Sequence, residues 1–322
     1  MIAFPAHHGS HPLWLDARAI AFSISPWHAV PRSAHRWSGS PSPGPRWARW
    51  PPPAPDQRVK LFFPKDASGL DALFEIAKLE EHDWFGAYRA LPDAQRPPMR
   101  TYTIRALRPA RGEVDVEFVL HGDNGPASRW AMRARPGDRL AMTAPLANAG
   151  GEKLGYEWKP PRGVRRILIV ADETALPAAA GIFETLDDLP LAPRVEALIE
   201  VPRSDDIQPL SPPAKLRWLT RDSEPDCHHG DLLMRAIRDI DLHQEVRALG
   251  GQPHGGSTEG LDEDDAALWE PASLDDHAPF YAWIAAETKV TRDIRRYLVN
   301  ACGLPKQCVT SMGYWRLGKT DD

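Results

Sequence analysis

The sequence predicts a fold of the β + α/β class, in which a small antiparallel β-barrel precedes a doubly wound α/β domain. Between residues 58 and 143, short runs of β-branched and aromatic residues alternate with loops, a spacing typical of a small barrel. After a Gly/Pro-rich linker at 144–161, strand and helix patterns alternate, starting with a continuous apolar run at 167–171. A strand this apolar is expected to be buried on both faces of a parallel sheet.

The predicted barrel domain covers residues 58–160. Strands are predicted at 59–63, 100–105, 116–121 and 139–143, with a hairpin at 108–113 and helices at 68–77 and from 126 onward. Along the second strand, Arg100 and Tyr102 alternate with Thr103, so the first two are expected on one face and the third on the other.

The predicted α/β domain covers residues 161–318. Its strands are expected at 166–171, 195–201, 216–219 and 280–286, and its helices at 175–186, 230–240 and 290–302. Ligands of such folds lie at the carboxyl ends of the strands. Asp172, Glu173 and Thr174 follow the first strand directly and are therefore candidate binding residues. An acidic loop at 250–276 lacks the alternating spacing of a calcium loop, and a Gly-Tyr-Trp-Arg motif ends the domain.

Residues 1–57 differ in composition from the rest of the chain. Residues 1–56 hold 11 of the 33 prolines and five of the 12 tryptophans, and they contain neither lysine nor glutamate. Only 13–24 has a periodic pattern. This segment is therefore predicted to be poorly ordered. An alternative is a frame-shifted or degenerate start, which would weaken any cofactor site in the barrel.

Composition also limits the classes of function. A net charge of −5 argues against a nucleic-acid partner, and no apolar run approaches the roughly 20 residues of a membrane span. A cytoplasmic monomer is expected. Three scattered cysteines do not suggest a metal site, so any redox cofactor is expected to be organic.

The stretch from Arg100 to the helix start at Ala127 and Ser128 is suited to a phosphate-containing ligand. A glycine turn after His121 leads into this helix, whose N-terminal N–H groups favour an anion. An arginine can clamp phosphate, and Tyr102 can lie against a flat ring. Each feature alone has an ordinary structural explanation, so only their combination supports a binding site.

The motif Arg100-x-Tyr102-Thr103 resembles that of the siderophore-interacting proteins, which are flavin-dependent ferric-siderophore reductases of the ferredoxin-reductase-like superfamily. Further matching segments follow the order of that family over about 58–318. They are 60–64, 121–122, 125–131, 136–138, 172–178, 283–287 and 313–316. The combination is specific, although each segment alone is weak.

The resemblance implies an FAD-binding barrel followed by an NAD(P)H-binding domain. Arg100 would hold an FAD phosphate, Tyr102 would pack on the isoalloxazine, and Thr103 would hydrogen-bond its N5 edge. The pyrophosphate would be cradled by His121, Ala127 and Ser128. The remaining cofactor-binding residues implied are Asp172, Glu173 and Thr174 at the nucleotide pocket, and Glu287 and Trp315 near the nicotinamide–flavin junction.

The implied reaction is NAD(P)H-dependent reduction of a ferric siderophore, with iron released as Fe(II). A nicotinamide donates two electrons and Fe(III) accepts one, so a flavin belongs between them. Hard oxygen ligands hold Fe(II) less well than Fe(III), so the transfer of one electron releases the iron. No acid–base side chain is therefore required at the metal.

Lys60 and Arg316 are the predicted contacts to an anionic siderophore, and Arg129 could add a further charge. Leu146 and Thr310 stand where the family often has basic residues. The choice between NADH and NADPH stays open. The alternatives are a non-catalytic flavin- or siderophore-binding remnant and a general flavin diaphorase.

Overall fold

The computed structural model describes residues 13–16, 21–23, 52–66, 69–76, 84–108, 113–123, 125–135, 138–144, 155–210, 215–252 and 269–318. The chain divides into an N-terminal unit, residues 4–156, and a C-terminal unit, residues 157–321. Within the described residues, every helix is too short or too polar to cross a bilayer.

The N-terminal unit contains seven strands and three helices in its described residues. In chain order they are β1 (Leu13–Asp16), β2 (Ala21–Ser23), β3 (Arg58–Phe62), α1 (Asp71–Ile76), α2 (Trp84–Ala90), β4 (Met99–Thr103), β5 (Ala106–Arg108), β6 (Glu113–Glu117), α3 (Pro126–Arg133) and β7 (Ala141–Ala144). One sheet has the order β1-β7-β3-β4 and the other the order β2-β6-β5. Across the described residues neither sheet closes on itself, so the β class is observed without a closed barrel.

Two of these strands lie in the compositionally unusual N-terminal segment. β1 pairs antiparallel with β7, and β2 pairs parallel with β6. The rest of 1–51 lies outside the described residues. The weak order expected of 1–57 therefore stays a prediction.

The hairpin differs from the prediction. It joins β5 to β6, whereas β4 pairs with β3. The chain changes sheet after Thr103, where Ile104 N donates to Gln57 O and Arg105 N to Asp115 O. β4 therefore cannot continue as the first arm of the predicted hairpin.

The strand predicted to reach His121 ends at Glu117. His121 N donates instead to Ser128 Oγ at 3.3 Å, and Gly122 adopts a φ of +83°. This turn takes the chain out of the sheet before α3 begins.

The C-terminal unit is a doubly wound α/β domain. Its elements are β8 (Arg166–Ala171), α4 (Leu176–Phe183), β9 (Arg194–Val201), β10 (Lys215–Thr220), α5 (Asp231–Arg238), α6 (His243–Ala248), β11 (Trp269–Glu270), β12 (Phe280–Glu287), α7 (Thr288–Arg296) and β13 (Val309–Trp315). The sheet order is β10-β9-β8-β12-β13-β11. In this order the five strands from β10 to β13 are parallel to one another, and β11 pairs antiparallel with β13 at the edge of the sheet.

This order places the topological switch point between β8 and β12. The chain winds outward from β8 to β9 and β10 on one side, then returns to β12 and β13 on the other. In open α/β sheets the crevice beyond the carboxyl ends of the strands at this point is the usual ligand site. The residues directly after β8 and at the end of β12 are therefore candidate ligand-binding residues.

The tail motif, for which no element was predicted, forms the end of β13, a buried parallel strand beside β12. The helix predicted for 290–302 is α-helical only in α7 and continues as a π-turn over Tyr297–Ala301, a local widening found in the interiors and at the ends of α-helices.

Candidate functional site

The carboxylate of Asp172 lies at the centre of the switch point. The residue follows β8 directly and is fully buried. Oδ1 accepts hydrogen bonds from Thr174 N at 2.9 Å and Thr174 Oγ1 at 2.6 Å. Oδ2 accepts from Glu287 N and Trp315 Nε1, both at 2.8 Å, and lies 3.2 Å from His229 Nε2. One side chain thus joins the segments after β8, β12, β13 and the loop before α5.

The charge state of Asp172 follows from these contacts. Burial alone would raise the pKa of this carboxyl. The hydrogen bond and charge of His229, with the hydrogen bonds from Thr174 and Trp315, outweigh burial and hold the pKa below its usual value. Asp172 is therefore an anion at neutral pH, and it can only accept hydrogen bonds.

A second set of buried charges begins at Glu173, the next residue in the chain. Arg221, just after β10, donates to Glu173 at 2.9 and 3.1 Å and to Glu200 at 2.9 Å. Glu200, fully buried in β9, also accepts from Gly230 N at 2.7 Å and Leu233 N at 3.1 Å. Glu200 thereby satisfies N–H groups at the start of α5 that the helix leaves unpaired. This arrangement fixes the backbone next to His229.

The geometry of Asp172, Glu173 and His229 is compatible with a metal-ligand set, since one ligand atom of each lies within 4.8 Å of the others. However, the Asp172 carboxylate already accepts hydrogen bonds from Thr174, Glu287, Trp315 and His229. A cation would have to displace those donors. The cluster is therefore a network of hydrogen-bonded charges.

Glu287 and Trp315 have defined structural contacts. Glu287 Oε2 accepts from Lys289 N at 2.6 Å and Val290 N at 3.0 Å, which caps α7. Its Oε1 accepts from Leu317 N at 3.2 Å. The Trp315 ring meets the His229 ring edge to face, with centroids 4.9 Å apart. The Glu287 carboxylate thus accepts hydrogen bonds from the backbone of this chain, whereas the half-buried indole lies at the carboxyl end of β13.

In the N-terminal unit, Tyr102 belongs to an aromatic cluster. Its ring centroid lies 4.5 Å from that of Phe118 and 6.4 Å from that of Phe63. Trp130 of α3 lies 6.3 Å from Phe118 and 5.9 Å from Phe63. This packing ties β4, which carries Arg100, to helix α3. The predicted ring-binding and phosphate-binding segments are therefore held together by apolar contacts.

The two faces of the β3–β4 pair carry different residues. Leu61 pairs with Arg100 and Lys60 with Thr101 in the antiparallel register, and directly opposed side chains share a face. Lys60 Nζ donates to Thr101 Oγ1 at 2.6 Å. The buried Thr103 lies on this second face, as the predicted alternation requires. Arg100 and Tyr102 lie on the first.

The turn before α3 is stabilised by Ser128. Its hydroxyl donates to Gly122 O at 2.7 Å and accepts from His121 N at 3.3 Å, and the residue is only 1% exposed. Ala127 is also buried, whereas His121 is exposed. A Cβ on Gly125 would lie 3.5 Å from His121 Cε1.

These residues fit a bound flavin nucleotide. Within the described residues, no side chain caps the start of α3, where Gly125 is the N-cap. The first-turn N–H groups are thus oriented for an anion. The guanidinium of half-buried Arg100 donates to Met99 O at 2.9 Å and has further donors for a phosphate. Tyr102 is half-buried on the same face of the strand as Arg100.

The sequence did not identify His229, Arg221 or Glu200. Glu200 carried a signal, because it is the charged residue in the apolar stretch 197–201 of β9. A buried charge requires a partner, so this residue predicts a cation nearby. His229 and Arg221 lie in loops, and no local pattern marks them.

Predicted substrate residues lie in both units. Burial, with the positive charge of Arg58, lowers the pKa of Lys60 to about 8. Arg316 follows β13 and is half-buried.

Arg129 forms an ion pair with Asp123, and Leu146 lies outside the described residues. Thr310 is buried and receives a hydrogen bond from Ala272 N.

The architecture and these two sites define a class of protein. The N-terminal β unit carries an arginine–tyrosine strand tied to a helix start, and an α/β unit with five parallel strands follows it, so the chain has one candidate nucleotide site in each unit. Residues 43–149 match the model of the siderophore-interacting FAD-binding domain, and residues 164–318 match that of the siderophore-interacting proteins. The chain belongs to the siderophore-interacting protein family. The predicted family and its FAD cofactor are confirmed.

Individual relatives agree with this assignment. The siderophore-interacting protein SipS from Aeromonas hydrophila is 27% identical, with a TM-score of 0.55 over 86% of this chain and 84% of that one. The ferric vibriobactin reductase ViuB of Vibrio cholerae is 24% identical over 82% of this chain and 78% of its own length. The NADPH-dependent ferric-chelate reductase of Escherichia coli is 35% identical over 45% of this chain and half of its own length.

Proposed function

We propose that this protein reduces ferric siderophores with electrons from NAD(P)H, through bound FAD, and releases iron as Fe(II). The observation that carries this proposal is the consecutive match of both units to the siderophore-interacting family. The names of the Vibrio cholerae and Escherichia coli relatives, a ferric vibriobactin reductase and an NADPH-dependent ferric-chelate reductase, support the reaction.

The N-terminal unit would hold the flavin. Arg100 would clamp a phosphate, and the N–H groups of Ala127 and Ser128 with His121 would receive the pyrophosphate. Tyr102 would cover the isoalloxazine. Thr103 would hydrogen-bond the N5 edge of this ring. Bound FAD supplies the exchange between a two-electron donor and a one-electron acceptor.

The C-terminal unit would bind the nicotinamide dinucleotide in the crevice beyond β8 and β12. Thr174 and the Trp315 indole would contact the dinucleotide, and Asp172 and Glu173 would shape the site through their hydrogen bonds. Glu287 would contribute by holding the start of α7. The electron donor is NADH or NADPH.

The substrate would be an anionic ferric chelate. Lys60 and Arg316 supply positive charge, and Lys60 remains protonated at neutral pH because its pKa is about 8. Electrostatic attraction would bring the chelate to the protein and hold it during electron transfer. No side chain has to donate or accept a proton at the metal.

Anaerobic stopped-flow spectroscopy of the purified full chain tests this function. NADH or NADPH is expected to bleach the flavin absorbance, and a ferric siderophore is expected to restore it faster than generic acceptors. A protein that binds flavin without bleaching would be a non-catalytic remnant. Equal reoxidation by all acceptors would identify a general diaphorase.

A further inference from the structure

His229 is a partly buried histidine enclosed by charged groups. Its side chain is 11% exposed. Nε2 lies 3.2 Å from Asp172 Oδ2, and Nδ1 lies 3.8 Å from Glu173 Oε1. The Arg221 guanidinium contacts the same Glu173 carboxylate, and the Trp315 ring packs against the imidazole. Since the Asp172 carboxylate only accepts hydrogen bonds, Nε2 must carry a proton.

The position of His229 is fixed by its neighbour in the chain. Gly230 adopts a φ of +86°, and a Cβ there would lie 2.3 Å from Val290 Cγ2. Gly230 N is also held by Glu200 at 2.7 Å. The backbone can therefore approach α7 this closely only with glycine, and the preceding imidazole is directed at Asp172.

The balance of buried charge depends on His229. The network contains three carboxylates, from Asp172, Glu173 and Glu200, and one permanent cation, Arg221. A protonated His229 is the second cation. When it is neutral, the Asp172 carboxylate loses the charge that compensates its burial.

We propose that His229 is a positioning residue for the dinucleotide site, whose imidazolium holds the Asp172 carboxylate where it fixes the Trp315 indole. Asp172 Oδ2 is the shared acceptor of His229 Nε2 and Trp315 Nε1, so both rings are oriented through one atom. The part of the proposal that concerns the dinucleotide rests on the function proposed above. The part that concerns Trp315 does not.

Coupling to pH follows from the same contacts. Burial would lower the pKa of His229, but the hydrogen bond and charge of Asp172 and the charge of Glu173 raise it above its usual value, against the opposing charge of Arg221. The imidazolium is thus fully present below pH 6.5 and is lost as the pH rises through the raised pKa. The Trp315 indole is expected to become less firmly held as the pH rises through the pKa of His229.

The first test uses the wild-type chain and needs no dinucleotide. In a ¹H–¹⁵N spectrum, the Trp315 indole N–H resonance, assigned with Trp315→Phe, is followed between pH 5.5 and 9. It is expected to shift with a single titration above pH 6.5. An indole resonance that does not move over this range would overturn the proposal.

Substitution separates the charge of His229 from its hydrogen bond. His229→Gln places a neutral amide donor near the position of Nε2, so the indole resonance is expected to stop titrating while the fold is retained. His228→Gln is the matched control, because His228 is adjacent and its side chain is 85% exposed. Equal titration in wild type and His229→Gln would contradict the proposal.

Steady-state kinetics provide the functional readout. The KM for NAD(P)H is expected to rise roughly threefold to tenfold in the wild type as the pH passes the pKa of His229. In His229→Gln it should stay near the high value at every pH, with a smaller change in kcat. If no pH gives dinucleotide-dependent flavin bleaching, the proposed function fails. An active enzyme with the same KM profile in both proteins would instead reject the role of His229.

Discussion

The indole N–H of Trp315 donates a 2.8 Å hydrogen bond to the buried carboxylate of Asp172, 143 positions earlier in the chain. The carboxylate follows the first strand of the α/β sheet, and the tryptophan ends the last parallel one. A buried anion requires donors, and this one receives them from both sides of the switch point. The tail of the chain is therefore part of the site built around β8.

Replacing Trp315 tests the contribution of this hydrogen bond to stability. Trp315→Phe keeps an aromatic ring but leaves Asp172 with one donor fewer. The free energy of unfolding is expected to fall by about 1–3 kcal/mol, measured by urea denaturation. Trp269→Phe is the control, since its indole donates to the partly exposed Glu157 at 3.2 Å. An equal loss of unfolding free energy in both variants would show that the bond to Asp172 contributes no more to stability than the bond to Glu157.

Removing Arg221 should disrupt the C-terminal unit much more strongly. Arg221→Met leaves the carboxylates of Glu173 and Glu200 without their cation, a change expected to cost about 3–5 kcal/mol. Arg217→Met, on the same β10 segment, breaks only a surface ion pair with Asp239 and should cost less than about 1 kcal/mol. Thermal unfolding of the two variants should separate them clearly. Similar melting temperatures would disprove the importance of the buried network.

The flavin site can be tested by cofactor retention. Arg100→Ala is expected to weaken FAD binding by about tenfold or more, because a charge-assisted phosphate contact is lost. The measurement is the ratio of flavin to protein absorbance after gel filtration. Arg133→Ala serves as the control, because Arg133 is 68% exposed and pairs with Asp123. Undiminished occupancy in Arg100→Ala would remove this residue from the site.

The role of Lys60 should depend on pH. Its amine is charged below the lowered pKa of about 8 and becomes neutral above it. Lys60→Gln is therefore expected to reduce kcat/KM for a ferric siderophore several-fold at pH 7 and to have little effect at pH 9.5. The exposed Lys65, which donates to Asp93 O, provides the control Lys65→Gln. A constant ratio of variant to wild type across this range would rule out a role for the Lys60 charge.

Local patterns predicted most strands correctly. The apolar run 167–171 became β8, and the alternation of Arg100 and Tyr102 with Thr103 agrees with the β3–β4 register. Such patterns are informative because the burial of each face of a strand is encoded in successive residues. The hairpin was mispredicted because local sequence allows β4 to pair with either β3 or β6. Which strand it pairs with depends on the tertiary contacts of Ile104 and Arg105.

Local sequence patterns predicted the β and α/β units and the order of the motifs, and this order identified the family. Which side chains meet depends on the tertiary structure. It paired Asp172 with Trp315 and His229, turned Glu287 into the cap of α7, and used Arg221 to compensate Glu173 and Glu200. The physical reason is that strand order brings distant segments together at one edge of the sheet. A buried charge in the sequence predicts that it has partners of opposite charge or hydrogen-bond donors. Which residues these are depends on the order of the strands in the sheet.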